Sequence, residues 1–522
     1  MNTDKPRMKT LLMSTRLYGL LMGCMGVALA LAWVSNGFAG LTNWAGWLAV
    51  MAFCAGVLWG GFRLLAGEGL PAWVKKLVVG AFALRLALGV FWFVALPVWG
   101  YDTDVQRAGY VMDDAHKRDG IAWKLAKEDT PLWEAFSGYS TTDQYGGLLF
   151  ASAFVYRYVG GEVHHPLMML AIAAAASALA VAFGWAFVQR LWGETPARWT
   201  AWGLALYPEA VLLGSSQMRE PFALLLTAMM LWLTLKLAEK ASWKAALGLA
   251  ACLAAGLLLS PPIAAMQAVV AGMLFLAADK GHLLTPRRKA ILFGLAALAG
   301  LGVLVVLGPR LAGFFDAVAW QKYVAESASG WVARQFERMP VWTHVAFLLA
   351  YGVFRPLLPA AVVADGILMW KVIAIVRAAG WTALLALLLY TTLLALRNKA
   401  WRAAPGALLL GNWLVVLVAS YRGGGDDWDN PRYRAAFAVV QVALAAWALW
   451  QQREQRDPWL RRAFGFALGL MLWFLPWYLR RYAPFEWPIV DLPDVVGLGL
   501  LTGGYFTLWD VLRSSEINDL QT

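Results

Sequence analysis

The sequence predicts an all-α polytopic membrane protein with about 14 transmembrane helices. Three observations carry that class. Of the 522 residues, 61% are hydrophobic and only 15% charged, where soluble domains hold about 45–50% and about 25%. The mean hydropathy is +0.58. Apolar runs close to the ~20 residues that cross a bilayer recur along the whole chain.

In chain order these runs are 17–35, 44–65, 77–98, 163–189, 199–216, 219–237, 245–259, 262–279, 290–308, 379–396, 405–420, 434–450, 463–479 and 492–512. The first reads as a signal anchor rather than a cleaved leader: its apolar run is long, and Gly37-Phe38-Ala39-Gly40 is a loose cleavage site. The stretch 342–376 is apolar but interrupted by Arg355, Pro356, Pro359, Asp365 and Lys371. Two more spans there would make 16; a hairpin in the interface is the other reading. Segment 146–159 is too short to span and ends on Tyr156, Arg157 and Tyr158, so it reads as a helix on the membrane surface.

The net charge of +12 does not mark a nucleic-acid binder, because the basic residues are scattered singly between apolar runs. With the N-terminus in the cytoplasm, the cytoplasmic segments collect 24 of the 44 basic residues and 10 of the 32 acids. The positive-inside rule then places both termini in the cytoplasm of a multi-pass protein of the inner (plasma) membrane. Cys24, Cys54 and Cys252 all lie in apolar runs, which excludes a disulfide scaffold, and no zinc-type Cys/His spacing occurs.

In this orientation the polar sequence gathers outside, in segments 101–162, 309–378 and 421–434. A transporter keeps its polar residues at mid-membrane, so a site at the outer boundary is the better expectation. The division that follows is a two-helix extension (1–76), a central transmembrane region bearing the outer segments (77–450), and C-terminal helices with a cytoplasmic tail (451–522).

Asp113 and Asp114 open a helical pattern continued by Ala115, Ile121, Ala122 and Leu125. An Asp there suits an N-cap. It also suits a general base, since joining a sugar to a hydroxyl requires taking the hydroxyl's proton. Arg219 and Glu220 sit at a tight outer turn, either as an ion pair or with Arg219 forking onto a phosphate. Glu209 lies inside a run, where an ionisable group costs at least ~2.5 kcal/mol and calls for a partner such as Arg85. Arg432 and Arg434 open a late run as lipid anchors or as ligands of a charged headgroup. His164 and His165 begin a run at the outer face, where His165 could bind phosphate or acceptor. Asp426, Asp427 and Asp429 follow three glycines; they offer oxygen ligands to a divalent metal, or simply form a solvated loop.

Taken in order, Asp113-Asp114-Ala115, Trp123-Lys124-Leu125-Ala126, Asp143-Gln144-Tyr145-Gly146-Gly147, Leu206-Tyr207-Pro208-Glu209, Ser215 to Glu220, and Arg432-Tyr433-Arg434 resemble the motifs of the GT-C glycosyltransferases. That group includes the protein O-mannosyltransferases and the lipid A aminoarabinose transferases. The resemblance covers residues 77–450. It implies a GT-C-like core with exoplasmic loop helices, a polyprenyl-phosphate-sugar donor, a glycan, lipid or protein acceptor, and inversion at the anomeric carbon. Asp113, Asp114 and Asp143 are the implied catalytic candidates; Arg219, Glu220, Arg432, Arg434 and His165 are the implied substrate-binding ones. Two spans precede the family's usual first helix, and Gly146-Gly147 stand where many relatives carry proline. Asp102 and Asp104 remain alternative bases. The rival functions are a flippase or transporter of lipid-linked glycans, and an O-antigen-type polymerase or ligase. The latter calls for more outer-loop arginine than Arg310, Arg334 and Arg338 provide.

Overall fold

A computed structural model of the chain describes residues 22–137, 145–279, 329–425, 430–483, 485–489 and 491–519, with residues 19 and 285. Every regular element among them is helical. The helices are α1 (Met22–Ser35), α2 (Trp44–Leu64), α3 (Ala72–Trp99), α4 (Asp104–Arg107), α5 (Asp113–Lys127), α6 (Gly147–Tyr158) and α7 (Pro166–Trp192). There follow α8 (Glu194–Leu206), α9 (Pro208–Gly214), α10 (Glu220–Glu239), α11 (Trp243–Leu259) and α12 (Pro261–Ala278). After the undescribed segment come α13 (Gly330–Arg338), α14 (His344–Phe354), α15 (Leu358–Val363), α16 (Leu368–Arg397), α17 (Ala404–Gly423), α18 (Asn430–Ala435), α19 (Ala438–Gln455), α20 (Trp459–Tyr482) and α21 (Leu492–Asp519).

Among the described residues nine helices are long and apolar enough to cross a membrane: α2, α3, α7, α10, α12, α16, α17, α20 and α21. The all-α polytopic class therefore stands. The run at 290–308 lies outside the described residues. The run at 199–216 is divided between α8 and α9, because Pro208 has no N–H to continue the first helix. The run at 434–450 is divided between α18 and α19. The ambiguous stretch 342–376 becomes α14, α15 and the first turns of α16, a 30-residue helix that also absorbs the run at 379–396. Pro356 separates α14 from α15 for the same backbone reason, and Pro359 sits in the first turn of α15, where its missing N–H costs nothing.

The chain forms two compact units. The first comprises 1–186, 210–225 and 254–264. One of its cores joins Trp47, Met51 and Cys54 of α2, Leu86 of α3, and Leu167, Leu170 and Ala171 of α7. A second core joins Ala122 and Leu125 of α5, Leu148, Leu149 and Tyr156 of α6, and Met169 of α7. The alanine-rich face of α7 permits close helix approach, the usual source of packing energy in lipid. Segment 146–159 is helical as expected, as α6.

Two local features seat α5 against α6. Arg157 of α6 donates to the carbonyls of Leu125, Ala126, Glu128 and Thr130, so one guanidinium serves two carbonyls of the last turn of α5 and two just beyond it. Gly146, just before α6, has φ +74°, which proline cannot adopt. A Cβ there would also collide with the Ala135 carbonyl, so glycine suits this turn.

The second unit comprises 187–209, 226–253 and 265–522. Its buried charges are paired locally. Arg377 of α16 grips the Glu209 carboxylate through bonds of 2.7 and 2.9 Å. Glu209 thus takes Arg377 as its bidentate partner, where the sequence suggested Arg85; Arg85, in the first unit, donates to Ser177 Oγ at 2.9 Å. Asp457 accepts from Arg397 and from the Tyr390 hydroxyl.

Candidate functional site

The site is built around α5. Its N-cap is Met112, with no side-chain capping bond, so Asp113 and Asp114 occupy the first two helical positions. This corrects the expectation that one of them caps. Backbone N–H groups at a helix start favour negative charge there. Asp113 is 54% exposed and pairs with Lys117, one turn on, at 2.7 Å. That hydrogen bond and charge raise the Lys117 pKa above its ordinary value. Asp114 is half-buried. Asp102 and Asp104 are exposed and both pair with Arg107.

The carboxylate that α5 buries is a different one. Asp119, with a side chain 1% exposed, accepts hydrogen bonds from the hydroxyls of Tyr110 and Tyr156, and His164 Nε2 lies 2.8 Å from its Oδ2. Burial, with the Asp119 charge adding to it, pushes both tyrosine pKa values far up, so both hydroxyls stay protonated as donors. Trp123 stacks on His164 with ring centres 5.0 Å apart. Sequence reasoning missed Asp119, although a signal existed. It lies four residues after Ala115 and three before Ala122, a charge on the apolar stripe of its helix.

Arg118, the next buried residue of that face, donates to the Gln217 carbonyl at 2.6 Å. Gln217 in turn donates from its side chain to the Pro166 carbonyl at the head of α7. Trp92 donates to Ser215 Oγ at 3.0 Å. A cavity of about 20 Å³, lined by Trp92, Tyr110, Val111, Ala115, Ser215 and Gln217 among others, marks the junction. That volume suits one water rather than a sugar. The two segments that carry Asp113–Asp114 and Arg219–Glu220 therefore meet within the first unit, through the residues that flank them.

Arg219 is half-buried and lies over the Tyr145 ring, 5.3 Å from its centre. Glu220 is buried in the first turn of α10. His165 is fully buried beside Ser35 Oγ and Asn43 Nδ2, and burial lowers its pKa. The imidazole therefore ties the start of α7 to α1 and to the residue before α2. Asp143 lies outside the described residues, as do Asp426, Asp427 and Asp429. Among the described residues, no three His, Cys, Asp or Glu side chains gather as a metal ion would require.

In the second unit, Arg434 is buried with its guanidinium 3.2 Å from the centre of the Trp381 ring. It donates to the Gly352 carbonyl at 3.3 Å and to that of Arg355 at 2.5 Å. Arg432 is also buried; it lies over the neighbouring Tyr433 ring and donates to its hydroxyl at 3.4 Å. The fork of Arg434 is committed to backbone carbonyls, and Tyr433 is one of the groups that Arg432 meets.

The model of the dolichyl-phosphate-mannose-protein mannosyltransferase family matches residues 153–307. No curated protein and no solved structure matches the chain. The match spans under a third of the sequence. It takes in Tyr156, His164, His165, Glu209, Arg219 and Glu220, and leaves Asp113, Asp114, Arg432 and Arg434 outside it. It bears out the resemblance to the GT-C glycosyltransferases and supports a membrane glycosyltransferase of that type.

Proposed function

We propose that the protein transfers a sugar from a polyprenyl-phosphate donor to a hydroxyl acceptor on the outer side of the inner (plasma) membrane, with both termini cytoplasmic. One observation carries the reading: the bond from Arg118 to Gln217 brings the start of α5 and the turn before α10 together in one unit. A carboxylate pair and an arginine thereby share a neighbourhood, which is the minimum that this transfer needs.

The acceptor oxygen attacks the anomeric carbon as the bond from that carbon to the phosphate oxygen breaks. The electron pair leaves with the polyprenyl phosphate, and the acceptor proton passes to Asp113 or Asp114. Asp113 would release Lys117 to accept it. A phosphate is a good leaving group when its charge is matched, so no general acid is required. Arg219 is the phosphate ligand that the first unit offers, since a guanidinium stays charged and forks onto phosphate oxygens. Arg432 and Arg434 are the second unit's candidates. The acceptor is a glycan, a lipid or a protein hydroxyl.

The test uses the full-length protein in lipid nanodiscs with three radiolabelled mannose donors: polyprenyl-phosphate, polyprenyl-diphosphate and nucleotide-linked. Turnover and saturable binding with the monophosphate alone are expected. Preference for the diphosphate donor would move the protein to the polymerase or ligase class. Movement of an intact lipid-linked glycan between leaflets, with no sugar released, would make it a flippase.

A further inference from the structure

Asp119 stands apart from the carboxylates considered for the chemistry. It is the one acid of α5 that is buried, and its partners come from three separate stretches of chain: Tyr110 before the helix, Tyr156 of α6, and His164 ahead of α7. Tyr110 lies three residues before Asp113, so its bond to Asp119 closes a loop over the residues that set where the helix begins. The entry to this loop is fixed as well. Gly109 has φ +81°, and a Cβ there would come within 2.8 Å of the Phe93 carbonyl in α3. Tyr110 is itself buried, with its ring 5.0 Å from that of His116.

We propose that Asp119, held by Tyr110, Tyr156 and His164, is a positioning residue that fixes the stretch Gly109–Met112 and so sets where Asp113 and Asp114 stand. This rests on the reading of those two residues as candidate bases. Asp119 touches no reacting atom in this account. It acts through Tyr110, whose hydroxyl ties the chain entering α5 to the middle of the same helix, while Tyr156 and His164 tie that point to α6 and the head of α7. A base must stand within hydrogen-bond reach of the proton it takes, and a misplacement of about 1 Å can cost about a hundredfold in rate. A carboxylate bonded by two buried hydroxyl donors, with the His164 imidazole packed 2.8 Å from its Oδ2, is a stiff anchor for such a task.

The test compares wild type with Tyr110→Phe, Tyr156→Phe and Asp119→Asn, all full length in nanodiscs. Tyr110→Phe keeps the ring and removes only the hydroxyl. Backbone hydrogen exchange is read first, without substrate. At residues 110–116, Tyr110→Phe should raise exchange about tenfold or more, the scale of losing one hydrogen bond to a charged group, while α7 stays protected. Unchanged exchange at 110–116 overturns the proposal. With polyprenyl-phosphate-mannose as the probe, turnover should fall about tenfold while probe affinity stays within about twofold, a split in kcat rather than KM. Affinity weakened as much as turnover, or turnover equal to wild type, also overturns it. A wild type that neither binds nor turns over the probe counts against the proposed function instead, and the exchange measurement then decides this inference on its own.

Discussion

The Asp119 cluster of the first unit and the arginine cluster of the second bury charge in different ways. In the first, Asp119 is met by two neutral hydroxyls and an imidazole. In the second, Glu209 is met by the full charge of Arg377, and Arg434 is met by two carbonyls and the face of Trp381. A carboxylate with two neutral hydroxyl donors can lose one and keep the other. A buried ion pair cannot, since the survivor keeps its charge with nothing to offset desolvation. The second cluster therefore reads as a strut that the loss of one partner breaks, and the first as an anchor that the loss of one partner loosens, beside the residues proposed for chemistry.

The largest expected effect on stability follows from that contrast. Arg377→Leu should destabilise the protein by about 3–5 kcal/mol, and the double variant Glu209→Leu with Arg377→Leu should recover most of it. Thermal unfolding of the purified protein reads both. A single variant as stable as wild type would contradict the strut.

A smaller effect is expected beside the anchor. Arg157→Met removes the donor shared by four carbonyls in the last turn of α5 and just beyond it, and should cost about 1.5–3 kcal/mol, the range for hydrogen bonds to a charged group. It should show as raised hydrogen exchange over residues 124–130, with the α2–α7 core unaffected. Exchange spread evenly over the unit would mean that the local cap is not what holds this end of the helix.

The two late arginines sharpen the same comparison. Arg434→Lys should lower stability by about 1.5–3 kcal/mol through loss of the guanidinium fork on the Gly352 and Arg355 carbonyls, and leave affinity for a polyprenyl-phosphate donor within about twofold. Arg432→Lys should do the reverse, because a lysine cannot reproduce a bidentate fork on phosphate. Equal donor affinity in all three proteins removes this pair from the donor site and leaves Arg219. Orientation is checked without any change in energy: a thiol reagent applied from outside should label Lys124→Cys and spare Lys240→Cys, and the opposite pattern would invert the topology.

Much of this organisation is legible in the sequence where its cause is local. Apolar runs give the spans, and Asp113 does begin a helix. Pro208 is visible inside the run at 199–216, but the apolar residues on both sides disguise the break. Partners distant in the chain are not legible. Arg377 is 168 residues from Glu209, and His165 lies 130 residues from Ser35. No spacing rule links such positions; packing does. Asp119 falls between these cases: its place on an apolar stripe marks it for burial, while the identity of its three partners needs the fold.

The most direct test of the central claim is single-turnover mannose transfer by Asp113→Asn and Asp114→Asn, measured beside donor binding in the same nanodiscs. Asparagine keeps the shape of the side chain and removes its basicity. The account predicts that one of the two variants loses about 10²–10⁴ in rate, the contribution of a general base, while binding polyprenyl-phosphate-mannose as wild type does. Full transfer activity in both variants would contradict it and move the base to Asp102, Asp104 or Asp143.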